Sequence, residues 1–221
     1  MKIIKIKFIQ KINRNVLRII TEKPPYYNYK PGEATNLSIN LPGWTKEKRP
    51  FTFTSLPNQN ELEFTIKTYP EHKCVTNLLL SLKPGNELLL DDPFGTIAYK
   101  GEGVFIAGGA GLTPFIPIFK DVTIKGNKLN SILFFANKTK EDIFLENELA
   151  EWTDNNVVHV LSEENTDTYE QGFITAELIK KKCSDLHRYF YVCGPPRMVV
   201  SIVNILQKLK VSPEKIIREI L

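Results

Sequence analysis

The segment GVFIAGGAGLTPF, Gly103–Phe115, runs a short apolar stretch into three glycines and then into a threonine and a proline. An apolar run of this length that ends on glycine reads as a buried strand, and the Thr-Pro pair ahead of more apolar residues reads as a helix start. Glycine lets backbone N–H groups approach a ligand with no Cβ in the way, and a helix N-terminus adds unpaired donors and partial positive charge. Gly108, Gly109 and Gly111 therefore suit a pyrophosphate, and they would equally make a tight strand-to-helix turn. Thr113 is placed to cap the helix, with Pro114 in the first turn, where its missing N–H has no intrahelical partner to lose.

Downstream the same rhythm repeats. GVFIAGG, SILFFAN, NVVHVLS, RYFYVCG and KIIREI are apolar runs suited to strands buried on both faces. Between them PFIPIFKDVTIK, IFLENELAEWT, TAELIKKKC and PRMVVSIVNILQKLK have helical periodicity. Residues 101–221 are thus expected to form a doubly wound α/β domain with five parallel strands. RYFYVCGPPRMV repeats the strand, glycine, proline and helix design, so two such loops would flank one crevice at the carboxyl ends of the strands.

Upstream, residues 1–100 change character. KIIKIKFI, NVLRIIT, ATNLSINL, PFTFTS, LEFTIKTY and NELLLDD are candidate strands, separated by turn-rich PPYYNYKPGE, LPGWTKEK and SLKPGN. Six strands at this spacing suggest an antiparallel barrel. CVTNLLLSL lacks the alternation and reads as a short helix across the barrel mouth. In RPFTFTS, Arg49–Ser55, an arginine and a proline precede hydroxyls interleaved with phenylalanines, which gives a strand with a polar face that a strand alone does not need.

Composition narrows the rest. Hydrophobic residues make 42% and charged residues 24% of the 221, as in ordinary globular proteins. The formal charge of +4 comes from 29 basic residues mixed among 25 acidic ones, with no long basic block, and gives no support to nucleic-acid binding. Lysines interrupt the apolar pairs of MKIIKIKFIQ before a signal-type apolar core can form. No apolar run approaches the ~20 residues that span a bilayer, so the expected location is cytoplasmic with no membrane insertion. Cys74, Cys183 and Cys193 are scattered with no CxxC pair, so a metal site or an iron–sulfur cluster held by this chain is not expected.

RPFTFTS, GGAGLTP and VCGPPRMV, in this order over nearly the whole chain, together resemble the ferredoxin-NADP reductase superfamily, which includes flavodoxin reductases, flavin reductases and reductase components of oxygenases. The resemblance implies a flavin on the barrel, FAD or FMN, and a nicotinamide dinucleotide, NADPH or NADH, on the α/β domain. It implies that Arg49 pairs with flavin phosphates, that Pro50 is among the cofactor-binding residues, that Phe51 packs beside the isoalloxazine, and that the Thr52 hydroxyl contacts the region where hydride arrives. Ile66, Lys67 and Thr68 resemble the second strand along the flavin, mostly through backbone groups, while Tyr69 would stack on the flavin or cover the barrel rim. Val75 and Thr76 resemble the helix start beneath the diphosphate. Gly108, Gly109, Gly111 and Thr113 would meet the dinucleotide phosphates, and Cys193, Gly194 and Pro195 would lie near the nicotinamide. Phe53 is expected in the core, and Cys193 also suits a small buried position.

Some segments depart from the family. Glu71–Lys73 stands where glycines are common, so that either side chains would crowd the phosphates or Lys73 would replace a backbone contact with a charge. DDPFG replaces a GPxG-like turn, and the chain ends on REIL with Glu219 but no terminal aromatic. Glu219 is assigned either proton delivery or a surface position. Glu163 and Glu164 after the third parallel strand, in place of arginines, favour a ribose hydroxyl and so NADH. The expected activity is transfer of electrons from NAD(P)H through bound flavin to a separate acceptor: flavodoxin, ferredoxin or an oxygenase component. Reduction of free flavin and a non-catalytic electron-transfer or regulatory subunit are the alternatives.

Overall fold

The computed structural model describes residues 1–69, 71, 74–95, 97–126 and 130–219. The first half forms β1 (Lys2–Asn13), β2 (Val16–Glu22), β3 (Ala34–Ile39), β4 (Arg49–Thr52), β5 (Glu61–Lys67) and β6 (Glu87–Leu90), with the short helix α1 (Val75–Leu78) between β5 and β6. These strands pair antiparallel in the order β4-β3-β6-β1-β2-β5. A bridge from Phe53 to Phe64, with Thr54 N–H donating to the Glu63 carbonyl at 2.7 Å, joins the two edges and curls the sheet into a barrel. Alternation decides which side chains enter it: Ile4 and Ile6 from β1 and Leu62, Phe64 and Ile66 from β5 are buried in one core with Phe53. Phe53 stacks on Tyr29 at 4.1 Å between centroids, the core position expected for it.

The second half forms β7 (Gly103–Gly108), α2 (Phe115–Ile124), β8 (Ile132–Asn137), α3 (Glu146–Trp152), β9 (Val157–Leu161), β10 (Glu170–Gln171), α4 (Ala176–Lys182), β11 (Tyr189–Cys193), α5 (Pro196–Lys208) and β12 (Ile216–Arg218). All strands pair parallel, in the order β10-β9-β8-β7-β11-β12. The sheet therefore has six strands where five were expected. The added β10 is a polar two-residue edge pairing with Val160 and Leu161, and it carries no apolar run by which to read it. The neighbours of β7 are β8 on one side and β11 on the other, so chain order reverses direction there and a crevice opens at its carboxyl end.

The sheet buries both faces. Phe105 stacks on Tyr191 at 4.4 Å and meets Phe115 and Phe119 edge-on, in a cluster that also takes Val16 and Ile97 from the barrel half. Val104, Ile106, Phe134 and Phe190 fill the other face beneath α4 and α5. Two buried carboxylates add polar links between the halves. Glu63 on β5 receives Lys120 of α2 at 2.9 Å and Arg18 at 2.6 Å, and Lys120 also donates to the Thr54 carbonyl at 2.8 Å. Asp142, between β8 and α3, receives Arg14 at 3.1 Å and Lys67 at 3.3 Å from the barrel.

Candidate active site

A cavity of about 1090 Å³ opens between the halves. Its barrel wall is β4 with Arg49, Pro50, Phe51 and Thr52, joined by Ile66, Lys67 and Tyr69 at the end of β5. Val75 and Thr76 close that side from the start of α1. Opposite lie Gly108, Gly109, Gly111 and Thr113, with Cys193, Gly194 and Pro195 beside them and Glu219 at the edge. Three motifs distant in sequence thus meet in one space. Thr68 is the exception: its hydroxyl and N–H both donate to the Asn15 carbonyl, at 3.0 and 2.7 Å, which ties the end of β5 to the β1–β2 turn and not to the cavity. His72 and Lys73 lie outside the described residues.

The glycines serve first to let two loops interlock. A Cβ on Gly111 would sit 2.2 Å from the Cys193 carbonyl oxygen, and one on Gly194 would sit 3.0 Å from the Gly108 nitrogen. Only bare backbone fits where these strand ends cross. Gly109, at φ +51°, has the left-handed backbone glycine favours, and its open side faces Lys67. Thr113 does not cap α2 as expected. Gly109–Leu112 already forms a 3-10 turn, so Thr113 is itself helical and its hydroxyl donates to the Ala110 carbonyl at 3.0 Å. That hydroxyl also lies 3.4 Å from the hydroxyl of Thr52, where the two halves touch inside the cavity.

Cys193 is buried with Sγ 3.6 Å from a carboxylate oxygen of Glu219. Burial and then the Glu219 charge push its thiol pKa up to about 12, so at neutral pH it is an S–H donor and not a nucleophilic thiolate. Cys183 is buried and donates to the Asp185 carbonyl, a structural role. Cys74 lines the cavity with its Sγ 3.0 Å from the Thr76 hydroxyl. That hydrogen bond, then backbone donors and the Arg49 charge, hold its thiol below the usual value despite some burial.

Among the cavity residues that escaped the sequence reading, Asn137 and Phe173 stand out. Both polar atoms of the buried Asn137 side chain have no partner among the described residues, an arrangement a polar ligand would complete. Its position as the last residue of β8, at the carboxyl edge of the sheet, was the available signal. Phe173, 78% exposed between Gly172 and Ile174, presents an aromatic face to the same space and has no periodicity to announce it. After β9, Glu163 pairs with Lys138 at 2.9 Å, and Glu164 accepts from the Lys140 N–H. Asp91 in the DDPFG turn accepts from the Tyr27 and Thr35 hydroxyls through its carbonyl, which makes that turn a support of the barrel.

A barrel whose strand β4 sets Arg49 and the Thr52 hydroxyl before a glycine crevice has a flavin and dinucleotide reductase architecture. The comparisons agree: residues 1–97 match the family model of the FAD-binding domain and residues 105–204 that of the oxidoreductase NAD-binding domain. The chain belongs to the ferredoxin-NADP reductase superfamily and carries its FAD- and NAD(P)-binding domains. It is 32% identical over 208 residues to the reductase component of propane 2-monooxygenase from Rhodococcus jostii, covering 86% of this chain and 55% of that protein. It is 33% identical over 171 residues to NADH-cytochrome b5 reductase 2 of Mycosarcoma maydis, covering 70% and 48%. The chain thus spans about half the length of these relatives. Its fold matches a ferredoxin NADP+ reductase from Neisseria gonorrhoeae, solved with bound FAD and NADP, at TM-score 0.85 and 19% identity, covering 99% of this chain and 97% of that one.

Proposed function

We propose that this chain is a flavin-dependent NAD(P)H oxidoreductase that passes electrons through bound FAD to a separate acceptor protein, with residues 1–100 holding the flavin and residues 101–221 the dinucleotide. The observation that carries this reading is the single cavity in which the barrel strand of Thr52 faces the glycine loop of Thr113, their hydroxyls 3.4 Å apart. The residues present fit both groups: a cation and a hydroxyl on β4, an open left-handed glycine, and the amide of Asn137, unpartnered among the described residues. Bound flavin supplies the chemistry that side chains lack, accepting a hydride from nicotinamide and releasing electrons singly or in pairs.

In this reading Arg49 and the N–H groups at the start of α1 neutralise the flavin phosphates, and Thr76 adds a hydroxyl. Phe51 and Tyr69 cover ring surface, while the Thr52 hydroxyl orients the reacting edge. Gly109 and its neighbours take the dinucleotide pyrophosphate, and Cys193, its S–H directed to Glu219, lies near the nicotinamide. Glu219 anchors that thiol and keeps a proton acceptor at the rim. The Lys138–Glu163 pair spends one basic side chain of the cavity on a carboxylate, which supports NADH as donor. Reductase components of oxygenase systems among the relatives support an oxygenase component or ferredoxin as acceptor, with flavodoxin as a further candidate.

The test is anaerobic. Purified protein reconstituted with FAD should show a flavin spectrum that bleaches on mixing with NADH, and more slowly with NADPH. Failure to retain FAD, or a bound flavin that neither dinucleotide bleaches, overturns the proposal.

A further inference from the structure

Asp142 is 2% exposed, and most of its partners come from the other half of the molecule. One carboxylate oxygen takes Lys67 Nζ at 3.3 Å and Asn15 Nδ2 at 3.2 Å. The other takes Arg14 at 3.1 Å and the Thr139 N–H and hydroxyl, each at 3.3 Å. Burial would raise its pKa, but Lys67, then Asn15, Arg14 and Thr139, outweigh it and hold the group below the usual carboxylate range. A buried carboxylate so thoroughly satisfied has one geometry to adopt.

Lys67 is the partner that leads to the cavity. It stands at the end of β5, beside Ile66 on the flavin side, and its side chain is 15% exposed. Its ammonium lies 3.8 Å from the point that a Cβ on Gly109 would occupy. One cation is therefore gripped between a buried carboxylate of the α/β half and the left-handed glycine of the dinucleotide loop, while its backbone belongs to the barrel. Arg14 is different: it is 47% exposed, reaches Asp142 from outside, and also pairs with Glu141 at 2.8 Å.

We propose that Asp142 is a positioning residue: by holding the Lys67 ammonium beside Gly109, it sets the depth at which a dinucleotide on the glycine loop meets the flavin strand β5. This rests on the reductase reading above. The two halves could stay docked without it, through Lys120–Glu63 and the shared apolar cluster. What Asp142 adds is the fixed separation between β5 and the Gly109 loop. Losing it lets Lys67 turn into solvent or onto the dinucleotide in several poses, and a misplacement of about 1 Å costs on the order of a hundredfold in rate.

The experiment compares the FAD-loaded full chain with Asp142→Asn, Lys67→Met, Lys67→Arg and Arg14→Met. FAD content, the rate of bleaching by NADH, and the long-wavelength charge-transfer absorbance on titrating the reduced protein with NAD+ are read for each. Asp142→Asn and Lys67→Met are expected to keep FAD, lose about ten- to a hundredfold in bleaching rate and lose most of the charge-transfer absorbance. Lys67→Arg should restore much of that absorbance, and Arg14→Met should stay within about twofold of the original. The inference is overturned by original rate and absorbance in Asp142→Asn, or by an Arg14→Met loss as large as that of Asp142→Asn, which would make the network a plain clamp. Should Asp142→Asn not fold, Lys67→Met decides alone, and original behaviour there overturns the inference. If the unsubstituted protein binds FAD but NADH does not bleach it, the reductase reading itself fails.

Discussion

Gly111→Ala tests how closely the two cofactor loops must cross. The added methyl would sit 2.2 Å from the Cys193 carbonyl oxygen, 2.4 Å from its carbon and 2.6 Å from Gly194 Cα, whereas ordinary contact begins at 3.4 Å. All three neighbours are backbone, so no flexible side chain can give way. The loop carrying Cys193 must retreat by roughly 1 Å or strain the end of β7, at a cost of about 1–3 kcal/mol for overpacking. For a chain of this size that lowers Tm by about 2–4 °C per kcal/mol. The larger effect falls on function. The same retreat carries Cys193 and Gly194 away from the glycine loop, and a shift of about 1 Å costs on the order of a hundredfold in a hydride-transfer geometry. Arg49 and Thr52 lie on the opposite wall, so FAD content should hold. Stopped-flow bleaching by NADH, beside absorbance at full FAD loading and a thermal melt, reads all three quantities. A folded, FAD-loaded variant that bleaches at the original rate would refute the claim that this crossing sets the position of the nicotinamide.

Further substitutions test other parts of the frame. Arg49→Ala removes the charge offered to the flavin phosphates and should weaken FAD by about ten- to a hundredfold, from about 1.5–3 kcal/mol for a charged hydrogen bond; fluorescence titration of the apoprotein measures it. Glu63→Gln leaves Lys120 and Arg18 without their shared charge and should cost about 1.5–3 kcal/mol, seen as a lower urea midpoint with unchanged slope. Acid should destabilise the protein in two stages. His159 is buried beside Phe135 and Tyr169, and burial depresses its pKa against the opposing Glu146 charge. Its contribution is therefore complete above the unfolded value near about 6.5 and is lost as pH falls through the depressed one. Burial alone would raise Glu63 and Asp142, but their cationic partners depress both, so their contribution is complete above about pH 4 and is lost below it. Urea midpoints across pH should show both stages, with His159→Phe removing only the upper one; a profile flat from pH 7 to 4 would contradict the burial argument.

The barrel and the parallel sheet were legible because alternation and apolar runs are local signals. β5 shows the limit of that signal. ELEFTIK alternates, as a half-solvated strand should, yet Glu63 and Thr65 are buried too, because α2 brings Lys120 over the outer face. Nothing within seven residues announces a partner 57 residues away. That β4, the glycine loop and the Cys193 turn would face one crevice could be read from motifs, since each sits at a strand end. Thr113 was misread because a 3-10 turn ahead of α2 leaves no extended residue to cap. The Thr68 contact with the β1–β2 turn was not legible, because alternation at the end of β5 says which face a residue takes but not what lies against it. Asp142 had no local mark beyond its capping box with Thr139, and its contacts with Lys67 and Arg14 exist only once the halves meet.

The seam between β4 and β5 bears on how the protein lives with and without its cofactor. Every other neighbouring pair in the barrel shares several backbone rungs, but these two edges meet through the Phe53–Phe64 bridge, the Thr54 N–H and side-chain bonds of Thr54 and Ser55 to Glu63 and Thr65. Pro50, which has no N–H to offer, lies in the edge that stays open. Those open edges are the ones that face the cavity, so a flavin seated there stands where further rungs would be. Loading and folding are thereby coupled by mass action: the barrel gains stability in proportion to the logarithm of available FAD. A chain short of flavin would therefore fold with the lower stability of the empty barrel, and its melting temperature should rise with each tenfold increase in free FAD.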